Sequence, residues 1–265
     1  MAVATQDVQA WNNRITTRVH HDGEGDPVVF LHGAAGLQWD SFLDGLAAQF
    51  SVYAPEHPGT TLGDPDGIRS LDDLWDLVLY YDELFDALGL DAPAVIGHSF
   101  GGMVAAEIAA TFPGRVSKLV LISALGLWRD DAPVPNYMVL SPEELVPLAV
   151  ADQNGPVAAT MLAAPDLESE AGQTAVIQAT WSMACTGKFV WPIPDRGLRK
   201  RLHRINAPTL IVWGHQDRIV KSVYAEEFQR AIGGSRVDVL EGAAHMPHLE
   251  QTDRVLATVT GFLGG

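Results

Sequence analysis

Cysteine is almost missing from this chain: Cys185 is the only one in 265 residues. No internal disulfide can form and no cysteine set for zinc exists, a usage that fits a reducing compartment. Basic residues are scarce as well. Lys and Arg number 17 against 33 Asp and Glu, a formal charge of −16. That balance repels phosphate backbones and anionic lipid, so nucleic acid and membrane surfaces are poor partners, and it aids solubility. No apolar run approaches the ~20 residues needed to span a bilayer. The opening stretch MAVATQDVQAWNNR has no basic start followed by an apolar segment, so no signal peptide is expected. These absences point to a cytoplasmic protein. Neither a G-x-G-x-x-G following a strand nor an H-E-x-x-H is present, so no motif supports NAD, phosphate or metal, and no cofactor is expected. Tandem repeats and low-complexity tracts are absent too. What remains is a 47% hydrophobic chain, ample for a packed core and long enough for one large domain or a domain with an insertion.

Short β-rich runs alternate with helical patterns. RITTRVHH (14–21) and PVVFLHG (27–33) flank the turn-rich DGEGD, which predicts an antiparallel pair. FSVYAPE (50–56), APAVIGHS (92–99), SKLVLIS (117–123), APTLIVWG (207–214) and RVDVLEG (236–242) read as further strands. The segment 70–90 carries leucines and aromatics at helical spacing, with Ser70 as its expected cap and Asp73 three residues on. GGMVAAEIAATF reads as a helix ended by Pro113 and Gly114; 222–234 and 253–265 read as two more. Strands alternating with helices predict an α/β fold, a mostly parallel central sheet covered by helices on both faces. The alternation breaks between 125 and 200. That stretch holds Pro133, Pro135, Pro142, Pro147, Pro156, Pro165, Pro192 and Pro194, several short helical patterns and no clear strand. It reads as a helical cap (125–199) inserted into a core made of 1–124 and 200–265.

Ser99 sits in Gly97-His98-Ser99-Phe100-Gly101, at the seam between an apolar strand and a helix. This G-x-S-x-G context is that of a nucleophile elbow, a sharp strand-to-helix turn that lifts the hydroxyl above the sheet edge. The glycines let neighbouring chain pass close, and the helix N-terminus offers amides to negative charge. The plainer reading makes Ser99 an ordinary helix cap. Three features favour chemistry. The loop FLHGAAG (30–36) follows a strand and can supply an oxyanion donor, the Ala34 amide, beside the Phe100 amide next to the nucleophile. Asp217, in IVWGHQDRIV, lies just past a buried strand, at the edge where ligands bind in open α/β sheets. His245, in LEGAAHMPHLEQTDRV, follows the last strand. A carboxylate that orients an imidazole, and an imidazole that takes a serine proton, are the remaining parts of a nucleophilic site. The order Ser…Asp…His, each member after its own strand, is hard to reach by accident.

On these residues the sequence resembles the α/β-hydrolase superfamily. The matching stretches are LHGAAG (31–36), GHSFGG (97–102), WGHQDRIV (213–220) and GAAHMPHLEQ (242–251), and the core resemblance covers about 14–124 and 200–265. By resemblance Ser99 is the nucleophile, Asp217 the acid and His245 the base. His248 is a rival, but the family's H-x-x-x-x-E pattern matches His245 with Glu250. Two departures stand out. Glu56 and Thr60 occupy positions where many relatives read D-x-P-G-x-G, and Glu56 is expected to stabilise its loop. Ala244 replaces a glycine that often precedes the histidine.

A serine nucleophile sets aside the aspartate-based dehalogenases and epoxide hydrolases of the superfamily. What remains is cleavage of a carboxylic ester, lactone or thioester, perhydrolysis, or hydrolysis of a C–C bond in a ring-fission diketone; hydroxynitrile lyases share the triad. A non-turnover ligand-binding receptor of the same fold is the rival from another class. Ring-fission hydrolases often follow the histidine with tryptophan and carry a cap arginine. Here Met246 follows, and Arg129, Lys188, Arg196 and Arg199 are the candidate cap cations. Trp128, Met138, Trp181 and Met246 are the candidate lining for a small apolar substrate, alongside the reading that the cap aromatics form the cap's own core. A homo-oligomer stays open.

Overall fold

A computed structural model of the chain describes residues 3–191, 193 and 195–265. Among these, eight strands form one sheet: β1 (Ala4–Ala10), β2 (Ile15–Asp22), β3 (Pro27–Leu31), β4 (Ser51–Pro55), β5 (Ala94–His98), β6 (Leu119–Ile122), β7 (Thr209–Gly214) and β8 (Arg236–Leu240). Their spatial order is β1-β2-β4-β3-β5-β6-β7-β8. β2 runs antiparallel to both β1 and β4, and every pair from β4 to β8 is parallel.

The inner parallel strands β3, β5, β6 and β7 are apolar on both sides because both faces are covered. Val29, Leu31, Val95, Leu119, Leu121, Ile211 and Trp213 point into one core, shared with α2 (Leu74–Ala87), α3 (Phe100–Thr111) and α7 (Val223–Ala231). Their neighbours Val28, Phe30, Ile96, Val120, Ile122, Leu210 and Val212 point into the other, shared with α1 (Ser41–Ala47) and α9 (Thr252–Gly264). This is the period-two alternation of a strand, with an apolar side chain at each step. α3 is buried from Phe100 to Ala110, so the helix behind Ser99 is a central post of the fold.

The structure corrects two local expectations. β2 and β3 do not pair; β4 lies between them. The glycines of the 22–26 turn are used for close approach instead: a side chain on Gly23 would collide with the Phe50 and Ala47 carbonyls. Ser70 does not cap the helix that follows. That helix begins at Leu74, and the Asp73 carboxylate accepts from the amides of Trp75 and Asp76 at 2.8 and 3.1 Å. Asp73 can reach two free amides of the first turn, whereas Ser70 ends a 3-10 turn and its carbonyl receives the Trp11 indole N–H.

Between β6 and β7 the chain leaves the sheet and forms α4 (Pro142–Ala149), α5 (Pro156–Leu162) and α6 (Glu170–Val190), with no strand among the described residues there. Pro142 and Pro156 stand in the first turn of their helices, where a missing N–H costs nothing. Pro192 and Pro194 lie outside the described residues. Both necks of the insertion meet one carboxylate on the core: Arg129 and Arg199 bind Glu227 of α7 at 2.8 and 2.9 Å. Among the described residues no helix is long and apolar enough to cross a membrane.

Candidate active site

Three of the parallel strands, β5, β7 and β8, lead at their C-terminal ends into one site. β5 ends in Ser99, whose backbone is held at φ 54°, ψ −113°. That region is costly for a residue with a Cβ. Two glycines make the turn possible: side chains on Gly97 and Gly101 would collide with the Gly101 and Leu31 carbonyls. The Ser99 hydroxyl caps nothing in α3. The ordinary-cap reading is thereby removed, and the hydroxyl is free for another partner.

That partner is His245, whose Nε2 lies 2.9 Å from Ser99 Oγ. Its Nδ1 lies 2.8 Å from Asp217 Oδ2. A carboxylate only accepts, so the proton sits on Nδ1 and Nε2 accepts from the serine. Asp217, His245 and Ser99 are all buried, at 3%, 5% and 5% exposure, so this chain of bonds is screened little by solvent. Local sequence explains the placement. Asp217 Oδ1 accepts from the Ile219 and Val220 amides, both at 2.9 Å, and the Trp213 indole N–H closes the same loop on the Val220 carbonyl. Gly214 has no side chain to block the Ala243 and Ala244 carbonyls, so the His245 loop comes up against the end of β7.

The His245 loop is also held from outside the core. Its amide donates to the Ala149 carbonyl at the end of α4, at 2.9 Å. Glu250 bridges the two segments, accepting from Ala151 at 2.6 Å and Ala244 at 2.7 Å. Burial pushes the Glu250 carboxyl up, against the pull of those amides. In Glu250→Gln one of the two amides loses its acceptor, which costs about 1–3 kcal/mol. The expected result is a Tm lower by a few degrees together with a reduced kcat, checked by calorimetry and a turnover assay. An unchanged Tm and kcat would make the bridge incidental.

Gly33 packs beside Ser99: a Cβ built on it would stand 3.7 Å from Ser99 Cβ. The next residue is Ala34. Among the described residues neither the Ala34 amide nor the Phe100 amide donates a hydrogen bond within the fold. The loop is ordered from behind by a polar network. His32 Nδ1–H donates to the Gly33 carbonyl at 2.7 Å, His57 Nε2–H donates to the His32 carbonyl at 2.8 Å, and the Tyr81 hydroxyl donates to His57 Nδ1. His98, the residue before Ser99, donates from Nε2 to the His245 carbonyl at 2.9 Å. Sequence reasoning missed these two supports, because nothing in a lone histidine shows which carbonyl it will meet.

Burial brings His57 down to about 4 and His248 to about 3, and holds His32 and His98 well below the ordinary histidine range. Unfolded histidines protonate near 6.5. Below that pH the unfolded chain binds more protons than the folded one, so stability is complete above about 6.5 and falls with acid. For His57 the loss runs from about pH 6.5 down to about 4, at about 1.4 kcal/mol per pH unit. Calorimetry at pH 8, 7, 6 and 5 should give a flat Tm above 7 and a steep fall below 6. A Tm constant down to pH 5 would contradict the buried neutral histidines.

The other expected site residues are placed as follows. Met246 follows His245 and is half-buried. Met138 packs on α6, its sulfur 3.1 Å from where a Cβ on Gly187 would stand. Trp181 ties α6 to the core by donating its indole N–H to the Gly59 carbonyl at 2.9 Å. Trp128 is half-buried in the entry neck, its indole N–H on Asp130 at 2.9 Å. Phe189 of α6 stacks on Phe100, ring centroids 6.4 Å apart. Of the four cap cations, Arg129 is held by Asp131 and Glu227, and Arg199 by Glu227. Lys188 donates to the Ile68 carbonyl at 3.2 Å and, with Arg196, lines a groove of about 450 Å³ between α2 and the exit neck. Glu56 is buried against His20 at 3.2 Å, on the seam of β2 and β4. Among the described residues no group of three or more His, Cys, Asp or Glu is arranged to hold a metal ion.

A family model for the alpha/beta hydrolase fold matches residues 26–252. The chain belongs to this family. This alpha/beta hydrolase is 31% identical over 253 residues to a dihydrolipoyllysine-residue acetyltransferase component of the acetoin cleaving system from Cupriavidus necator, a match covering 92% of the chain but 65% of that longer protein. It is 27% identical over 268 residues to a 2-hydroxy-6-oxo-2,4-heptadienoate hydrolase from Pseudomonas putida, covering 94% of the chain and 93% of the relative. Among solved structures, an esterase from Rhodococcus superposes with a TM-score of 0.77 at 20% identity, over 98% of each chain, a likeness of fold.

Proposed function

We propose that this alpha/beta hydrolase cleaves a carboxylic ester, or a lactone or thioester, bearing an apolar or aromatic group, through an acyl-enzyme on Ser99. The observation that carries the reading is the unbroken bond chain from Asp217 through His245 to a serine hydroxyl that caps nothing. As Ser99 Oγ bonds to the substrate carbonyl carbon, His245 Nε2 takes its proton. Asp217 holds the ring in the required tautomer and stabilises the imidazolium. The carbonyl oxygen, now negative, meets the Phe100 and Ala34 amides, which have no other acceptor among the described residues and lie near the positive end of α3. Collapse breaks the bond to the leaving alcohol, which takes the proton from His245. Water then repeats the sequence with His245 as base, releasing the acid and restoring Ser99. The substrate lining is proposed to include Trp128, Met138, Trp181 and Met246. Support comes from Met246 beside the base and from α6, whose Phe189 stacks on the residue after the nucleophile.

The name of the Pseudomonas relative favours a second reading, hydrolysis of a C–C bond in a ring-fission product. That reaction first converts a dienol to a ketone and needs a group to hold the developing charge. Here Arg129 and Arg199 are engaged with carboxylates, and Lys188 and Arg196 line the groove beside α2. An ester requires only the two amides and a proton for the leaving group. The test compares kcat/KM for a phenyl ester with that for 2-hydroxy-6-oxo-6-phenylhexa-2,4-dienoate. The ester is expected to be favoured at least tenfold, and a higher value for the dienoate would move the protein to the C–C hydrolases.

A further inference from the structure

The cap helix α6 lies across both residues whose amides are the proposed oxyanion donors. Its buried face includes Ser182, Thr186 and Phe189, which follow one another at helix-turn spacing. Phe189 stacks on Phe100. One turn back, the Thr186 hydroxyl lies 3.3 Å from the Ala34 carbonyl and 3.0 Å from the Ser182 carbonyl, so its proton is used within the fold. A further turn back, Ser182 packs on Gly36, its Oγ 3.1 Å from where a Cβ on Gly36 would stand. The helix thus roofs the loop 34–36 and the residue after Ser99.

The fold makes no use of the Ser182 hydroxyl. A serine inside a helix ordinarily points to water or bonds back to the carbonyl one turn earlier. Ser182 does neither: it is fully buried, and its Oγ has no hydrogen-bond partner among the described residues. A buried hydroxyl left in that state costs stability. Alanine would fill nearly the same space and is the better helix former. The orphaned donor therefore stands against the loop that carries the Ala34 amide, where a bound molecule can take its proton. The direction of the substrate follows from His245. The leaving group lies by His245 Nε2, from which it takes its proton, and the His245 loop is held by the end of α4 at Ala149. The acyl chain leaves the carbonyl carbon on another side, and α6 is the element that covers Ala34 and Phe100.

We propose that Ser182 is a specificity-determining residue whose hydroxyl donates to an oxygen on the acyl chain of the substrate. The preferred substrate is then an ester of an oxygen-bearing acid, such as an alkoxy, hydroxy or keto acid, rather than of a plain hydrocarbon acid. The inference rests on acyl chemistry at Ser99 and deepens it by naming the acyl class. No bond is made or broken at Ser182; its O–H only donates.

The experiment compares two esters of the same shape, 4-nitrophenyl benzyloxyacetate and 4-nitrophenyl 4-phenylbutanoate, which differ by an ether oxygen in place of a methylene. The oxygen also activates the carbonyl, but equally for every variant. The quantity read is therefore the benzyloxyacetate-to-phenylbutanoate ratio of kcat/KM in Ser182→Ala against the same ratio in wild type. The ratio is expected to fall by about fivefold or more, with the phenylbutanoate value within about twofold of wild type. Tm is expected to equal or exceed that of wild type, because an unbonded buried hydroxyl has been removed. An unchanged ratio would overturn the proposal. So would equal losses on both esters, which would make Ser182 a packing residue of the roof. No turnover of either ester by the wild-type protein would refute acyl chemistry at Ser99 and the proposal with it, so the two failures are distinguishable.

Discussion

Ser99→Ala is expected to lose ester turnover by about 10⁴-fold or more and to remain folded. Among the described residues the hydroxyl makes one hydrogen bond, to His245, and it does not cap α3. Its removal therefore takes about 0.5–1.5 kcal/mol from the fold, a change of no more than a few degrees in Tm. The turn itself is built by Gly97 and Gly101, which remain. Ser99→Gly should be equally inactive and more stable than Ser99→Ala, because glycine accepts φ 54° without strain. Purified variants assayed on an activated ester, with melting curves alongside, decide the matter. Wild-type-like turnover in either variant would sink the assignment, whereas an unfolded Ser99→Ala would show that the serine is structural.

Asp217→Asn is expected to cost about 10³–10⁴ in kcat with little change in KM. The asparagine oxygen can keep the Ile219 and Val220 amides, so the loop survives. Its NH₂ then faces His245 Nδ1 and donates where the carboxylate accepted. The ring must carry its proton on Nε2 instead, and a protonated Nε2 cannot take the serine proton. His245→Ala removes the proposed base outright. Because Asp217 is proposed to act through its bond to His245, the double variant should be little worse than His245→Ala alone. Losses that multiply across the double variant would mean that the two act separately.

Much of this site was legible in the chain because its parts obey local rules. G-x-S-x-G between an apolar strand and a helix states a turn geometry, and the structure places Ser99 in it. Asp217 was found from its position after a fully buried, largely apolar strand, and His245 from its position after the last strand of the chain, a pattern that needs no knowledge of partners. What could not be read is pairing at a distance. β1 has polar side chains along most of its length and is mainly exposed, so it carries no apolar signature of a strand. β4 enters between β2 and β3 through the sheet's long-range order, which the turn-rich DGEGD could not reveal. The hold of Ala149 on the His245 amide uses backbone groups alone, and a backbone carbonyl has no letter in the sequence. The His32–His57–Tyr81 network fails for the related reason that each member is also an ordinary core residue.

The most direct measurement of the central claim is mass spectrometry of the protein quenched during turnover of a 4-nitrophenyl ester. The account predicts an added acyl mass on the peptide that contains Ser99, formed with a burst of one equivalent of nitrophenol and absent from Ser99→Ala. Steady turnover with no adduct on that peptide under conditions of slow deacylation, or an adduct that persists in Ser99→Ala, would contradict it.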